Sequence, residues 1–159
     1  MTSGEYFKSI KIVHIALVVG VVFFALISVF LQIKGFGTVG HEIDKVLLIV
    51  VPIFALIGIF ASNFVFKKKL NEIRKKSNLK EKMEEYRSAL IIKLALIEGP
   101  SFFAVVSFLL TGNYIYLGLT VILIIVFLIY TPNKTKFINE LELTKKESDL
   151  IYNSESEIL

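Results

Sequence analysis

Four long apolar runs dominate this chain, and they restrict it to folds in which hydrocarbon surrounds the helices. The runs cover residues 12–33, 46–66, 89–110 and 114–131, about 18 to 22 residues each. At a rise of 1.5 Å per residue, about 20 residues of helix cross a hydrocarbon layer of roughly 30 Å. The sequence therefore predicts an all-α fold, a four-helix transmembrane bundle with up-down-up-down topology.

The first run is too long for the core of a cleaved signal peptide, and no small-x-small cleavage site follows it. We therefore expect it to be retained as the first helix. The predicted transmembrane domain covers residues 1–132, with a cytoplasmic helical hairpin at 67–88 inserted in it. Residues 133–159 form a soluble cytoplasmic tail.

The composition excludes several classes of function. Hydrophobic residues make up 55% of the chain, cysteine is absent and there are two histidines. The absence of cysteine excludes thiolate chemistry, and two histidines leave few candidates for histidine-centred catalysis. The sequence shows no pairing of a nucleophile with a base, no metal-ligand spacing and no phosphate-binding loop. We therefore predict a non-enzymatic protein without cofactor or metal. The net charge is +4, but the basic residues lie where membrane topology places them. No nucleic-acid partner is therefore expected.

The distribution of Lys and Arg predicts the orientation. The segment Lys67–Arg87 holds nine basic residues and four glutamates, whereas the first loop has only Lys34 and Lys45. By the positive-inside rule, the termini and the middle segment lie in the cytoplasm. The basic surface predicted for this side comprises Lys67, Lys68, Lys69, Arg74, Lys75, Lys76 and Arg87.

The middle segment and the tail each leave alternatives open. Apolar residues near helical spacing predict that the middle segment is a hairpin, which is either a docking surface for a partner or anionic lipid, or a solvated connector. Thr144 and Glu147 have capping-box spacing and predict a short helix through Tyr152. The tail is then a partner-binding segment, an ordered cover on the hairpin, or disordered.

One acidic residue, Glu98, lies near the middle of the third run. A carboxylate at that depth costs roughly 2.5–3.5 kcal/mol on insertion scales. It is therefore expected to be paired with another group, to be protonated or to have a functional role. Three interpretations stand: a proton or cation site, a structural residue that fixes the packing, or a contact with another subunit. The polar residues that helix geometry places at similar levels, and that complete this candidate site, are Ser101, Asn63, Ser62 and His14.

Other polar and special residues carry smaller predictions. Pro52 and Pro100 lie inside spans and are expected to kink their helices. Asp44 is expected to cap helix 2. Lys93 lies off the face of Glu98 and is expected to extend to the cytoplasmic interface.

The stretch Ala95-Leu-Ile-Glu98-Gly-Pro-Ser-Phe-Phe-Ala-Val-Val loosely resembles the carboxylate-bearing helix of the rotary ATPase c subunit, over about fifteen residues. This resemblance implies a proton-binding role for Glu98 in an oligomer.

Most of the chain is similar to small uncharacterised four-helix bacterial inner-membrane proteins. The similarity lies in His14-Ile-Ala-Leu, Tyr86-Arg87, Ala95–Pro100, the Thr111-Gly-Asn turn and Thr131-Pro132. It implies a multi-pass protein of the bacterial inner (cytoplasmic) membrane.

Two functions follow from these observations as expectations. The first is a proton- or cation-responsive component of an oligomeric membrane assembly, centred on Glu98. The alternative is a structural scaffold or accessory subunit that docks partners through the hairpin 67–88 and the C-terminal tail. In both, the expected partners are the lipid bilayer and either further copies of the chain or a larger membrane complex.

Overall fold

The structure is a computed structural model that describes residues 2–36 and 41–155. These residues form an all-α fold, as predicted. Their six helices are α1 (Ser3–Ile33), α2 (His41–Ile73), α3 (Leu79–Thr111), α4 (Ile115–Ile129), α5 (Lys134–Leu141) and α6 (Lys145–Tyr152). The glycine-rich centre of the first loop and the last four residues of the predicted tail lie outside the described residues.

Three of the helices run well beyond the apolar blocks that predicted them. A capping box formed by Thr2 and Glu5 starts α1 before its apolar run, and the side chain of Asn78 caps α3. Gly112, with a φ of 70°, ends α3 in the left-handed conformation that glycine adopts most readily. The expectation for Asp44 was wrong, because α2 already begins at His41 and Asp44 lies within its first turn.

Three helices, α1 to α3, are long and apolar enough to cross a membrane. With 15 residues, α4 is shorter, and it qualifies only together with α5, which is bent from it by 76°. The structure thus contains three or, with this bent pair, four candidate spans.

Helix α3 is the centre of the bundle and packs against α1, α2 and α4. In the most apolar window of each helix, 50% of the α3 residues are buried, against 17% in α1 and 22% in α2. The outward faces of α1 and α2 carry large exposed apolar side chains such as Phe23, Leu26 and Phe60. Those faces need lipid or another apolar surface to cover them.

Helix α2 lies directly against α3 at Gly58. A Cβ atom at this position would lie 2.6 Å from the Leu96 carbonyl oxygen and 2.6 Å from Cγ of Pro100. Pro100 cannot donate a hydrogen bond to that carbonyl, since proline has no N–H. The bare backbone of Gly58 fills the space beside it. Both Pro52 and Pro100 lie within continuous helices.

Polar contacts tie the helix ends together at the end of the bundle that holds the α3–α4 turn, here called the turn end. The Asp44 carboxylate accepts hydrogen bonds from Asn113 Nδ2 (3.0 Å) and Tyr116 Oη (2.7 Å). Gln32 Nε2 donates to the carbonyl oxygens of Phe108 and Leu109. The start of α2 and the end of α1 are therefore both held against the α3–α4 connection.

At the opposite end, here called the hairpin end, α5 and α6 pack on the α2–α3 hairpin and on the start of α1. Lys82 Nζ and Glu147 Oε1 form a largely buried ion pair at 2.7 Å. Ser3 Oγ donates to the Ile151 carbonyl oxygen, which joins α6 to α1. The helix predicted to end at Tyr152 is present, with its capping box. The tail thus forms an ordered cover, as one of the three alternatives expected.

An aromatic cluster fills the space beneath this cover. The rings of Tyr6, Phe7, Tyr86 and Phe137 meet edge to face with centroids 4.8–6.1 Å apart. The cluster draws on α1, α3 and α5, so segments from both ends of the chain share one core.

Candidate functional site

Glu98 lies at the rim of the buried face of α3. Its helical neighbours Leu94 and Ser101 are buried, whereas Ala95 and Gly99 on its other side are exposed. Phe102 lies one turn further on, and the centroid of its ring is 5.6 Å from that of Phe24 in α1. Glu98 is half-buried itself, on the edge of α3 that borders α1.

Among the described residues, Glu98 has no hydrogen-bond or ion-pair partner. It lies roughly 13 Å from the start of the apolar run at Ala89, counted at 1.5 Å per residue. A carboxyl group in that position has to find a donor or a cation beyond the described residues, or carry a proton.

The four residues predicted to accompany Glu98 bond elsewhere. Ser101 Oγ donates to the Ile97 carbonyl oxygen of its own helix, and Ser62 Oγ donates to that of Ile59. Asn63 donates to the Ile59 carbonyl oxygen, while its own side-chain oxygen accepts from Tyr130 Oη at 3.0 Å. The structure therefore does not join these side chains to Glu98 by direct hydrogen bonds.

His14, the fourth of them, belongs to α1 and is 1% exposed. Its side chain lies against α4. Its Nε2 is 2.8 Å from the Phe127 carbonyl oxygen, which makes Nε2 the donor. Its Nδ1 is buried and has no partner among the described residues. His14 thus fastens α1 to the end of α4.

The predicted basic surface divides into paired and unpaired residues. Arg74 contacts Glu142 at 3.0 Å, and Lys76 lies 3.2 Å from Glu85. The remaining members make no ion pair with the described residues: Lys67, Lys68, Lys69, Lys75 and Arg87. Most of these unpaired side chains are exposed.

A second polar site, which the sequence analysis missed, lies around Lys93. Lys93 is 6% exposed, and its ammonium nitrogen lies 4.2 Å from the ring centre of Phe66 and 3.8 Å from that of Tyr130. Such ammonium–ring contacts are favourable, the more so where water is excluded. Lys93 does extend towards the hairpin end, as expected, but it stops in an aromatic enclosure.

This enclosure is one wall of a half-open pocket of about 200 Å³, here called the Lys93 pocket. Two further charged groups line it. Lys136 Nζ donates to the carbonyl oxygens of Ile129 and Thr131, and Glu140 Oε2 accepts from Tyr86 Oη at 2.7 Å.

One sequence signal for the Lys93 pocket did exist. Tyr86, Leu90, Lys93 and Ile97 follow one another at spacings of four, three and four, which places Lys93 on the buried face of α3. The contributions of Phe66, Tyr130 and α5 come from distant parts of the chain and have no local signature.

Comparison of the chain with protein-family models, with curated proteins and with solved structures finds no match.

Proposed function

We propose that this protein is a non-enzymatic, multi-pass component of an oligomeric membrane assembly that responds to protonation or cation binding at Glu98. In this proposal the bundle is up-down-up-down, and its hairpin end, with both termini, faces the cytoplasm. The membrane would be the bacterial inner membrane.

The membrane placement is supported by three candidate spans and by the apolar outer faces of α1 and α2. The contacts at the helix ends support the topology. The end of α1 meets the end of α3 through Gln32, whereas the start of α1 meets the end of α4 through His14. The hairpin end also carries the predicted basic surface, as the positive-inside rule requires of a cytoplasmic side.

The proposal rests mainly on the half-buried carboxyl group of Glu98, which lies on a candidate spanning helix and has no partner among the described residues. An acid with a purely internal structural role would be expected to have a donor within its own bundle. The polar side chains that were candidates for this role are bonded elsewhere. A group at the rim of α3 is instead placed to meet a second subunit, a cation or a proton.

The test is a pH titration of the reconstituted protein. Subunits labelled with donor and acceptor dyes are placed in lipid vesicles, and energy transfer between subunits is followed from about pH 8 to about pH 5. We expect the wild-type signal to change with pH and the signal of Glu98→Gln to stay constant, because the amide cannot take up or release a proton. Glu84→Gln, which alters an exposed glutamate of the same helix, should behave like the wild type.

A pH response that persists in Glu98→Gln would contradict the proposal. The same holds for a wild type that remains a monomer in lipid and shows no pH response.

The alternative function, a scaffold or accessory subunit, is supported by the unpaired lysines of the hairpin. The tail covers one part of the hairpin, while Lys67, Lys68 and Lys75 stay exposed. A scaffold should be recovered from mild detergent with a second protein in fixed stoichiometry. Reversing these three charges to Glu should release that protein, whereas Glu98→Gln should not.

A further inference from the structure

The Lys93 pocket combines features that a solvated surface lysine lacks. Lys93 is buried, with 6% of the residue exposed, and its ammonium group makes no hydrogen bond with the described residues. An ammonium group has three N–H donors. Aromatic ring faces stabilise its positive charge, but they are poor hydrogen-bond acceptors for these N–H groups. The pocket next to it leaves room for an acceptor.

The charge of the pocket identifies the sign of the ligand. Lys93 and Lys136 contribute two positive charges to the pocket, and Glu140 contributes one negative charge. Glu140 is already engaged by Tyr86. The surroundings of Lys93 are therefore positive, and an anion rich in acceptor oxygens would complete them.

The position of the pocket identifies the source of the anion. It lies where α4 ends at Ile129 and where the apolar part of α2 ends at Phe66, just before Lys67. In a bilayer this is the level of the headgroups, where tyrosine rings also settle. A volume of about 200 Å³ is several times the roughly 30 Å³ that one water occupies in the liquid. It accommodates a phosphate group, while the acyl chains remain outside.

We propose that the Lys93 pocket binds the phosphate group of an anionic phospholipid. The ammonium group of Lys93 donates to the phosphate oxygens, and Lys136 adds a second positive charge at the rim. The proposal depends on the membrane placement of the helices but not on Glu98, so Glu98→Gln should leave lipid binding unchanged.

Native mass spectrometry of the purified protein measures this binding, with phosphatidylglycerol compared with phosphatidylcholine of the same chain length. The wild type should retain phosphatidylglycerol preferentially. Lys93→Met nearly keeps the length of the side chain but removes its charge. Retention of phosphatidylglycerol should therefore fall about tenfold or more, as for a lost charge-assisted hydrogen bond. Lys68→Met, at an exposed lysine outside the pocket, should change retention by less than about threefold.

Glu140→Gln provides a readout that a merely structural role would not produce. The amide oxygen can still accept from Tyr86, but the negative charge is gone, so phosphatidylglycerol should bind more tightly than to the wild type. This variant and Lys136→Met also decide the question if Lys93→Met does not yield folded protein.

Three results would overturn the proposal. The first is equal retention of the two lipids, and the second is unchanged retention in Lys93→Met. The third concerns inorganic phosphate: if phosphate alone stabilises the wild type against heat as strongly as phosphatidylglycerol does, the ligand is a soluble phosphate and not a lipid.

Discussion

At the scale of single residues, the close contact between α2 and α3 depends on glycine at position 58, which has no side chain. Gly58 lies against the Leu96 carbonyl oxygen and the ring of Pro100, and neither group can retreat easily, because one is backbone and the other is a ring fixed to it. In lipid, helices associate through such close packing of small residues, since burial of apolar surface no longer drives them together. One hydrogen atom in place of a methyl group therefore sets the distance between two helices.

Gly58→Ala should destabilise the bundle by about 1–3 kcal/mol, because the new methyl group overpacks a backbone contact. Reversible unfolding in mixed micelles containing increasing dodecyl sulfate measures the change. Gly99→Ala is the matched control, because a Cβ at Gly99 meets nothing within 4 Å. Alanine is favoured over glycine in a helix by roughly 0.5–1 kcal/mol, so the control should not lose stability. Equal losses in both variants would contradict the prediction, because the loss would then not come from the contact of Gly58 with α3.

Single residues also show where sequence reasoning ends. The composition of the third apolar run made Glu98 stand out, because a charge in a hydrophobic run is conspicuous. It did not show that Ser101, Ser62 and Asn63 prefer carbonyl oxygens of their own helices. That preference is a local one, since Ser and Asn side chains in helices often bond back to the preceding turn.

At the scale of elements, the tail shows how a short polar helix becomes ordered. On its own, an eight-residue helix such as α6 is too short to be stable in water. A capping box at its start, the ion pair of Lys82 with Glu147 and the bond from Ser3 to Ile151 hold it in place. The order of α6 therefore comes from its contacts with α1 and α3.

The Lys82–Glu147 pair should make the docking of α6 sensitive to acid. Burial by itself would raise the pKa of Glu147, but hydrogen bonds from Lys82 and Thr144 outweigh it and hold the pKa below the ordinary 4.5. A carboxyl group with a depressed folded-state pKa stabilises the fold above its unfolded pKa and loses this effect as the pH falls through the folded value. The stabilisation should therefore be complete at neutral pH and be lost as the pH falls below 4.5 and through the lower folded-state pKa.

Amide hydrogen exchange of residues 145–152 at about pH 7 and about pH 3.5, corrected for the intrinsic rate, measures this effect. Protection should fall in acid in the wild type. In Glu147→Gln it should already be low at neutral pH and change little. Asp149→Asn, at an exposed position of the same helix, should keep the wild-type profile. If Glu147→Gln kept full protection at neutral pH, the ion pair would not be what holds α6.

At the scale of the whole molecule, the chain divides into an apolar bundle and a folded cap at the hairpin end. The orientation of this arrangement can be tested directly, since the sequence contains no cysteine. Ser77→Cys lies in the α2–α3 hairpin, and Tyr114→Cys lies at the turn end; both positions are exposed. A membrane-impermeant maleimide added to intact cells should label Tyr114→Cys and should reach Ser77→Cys only after lysis. The reverse pattern would contradict the proposed orientation, and the unmodified chain serves as the blank.

The sequence by itself determined the helical class, the apolar runs, the basic hairpin and the start of α6. These features follow from run length, charge distribution and capping residues, which are local properties that each segment carries alone. The tertiary structure decided the rest: the packing of Gly58 on Pro100, the docking of the tail, and the enclosure of Lys93 by the rings of Phe66 and Tyr130. Each of these depends on residues that are far apart in the chain and become neighbours only when the helices pack, so no periodicity within one segment could have indicated them.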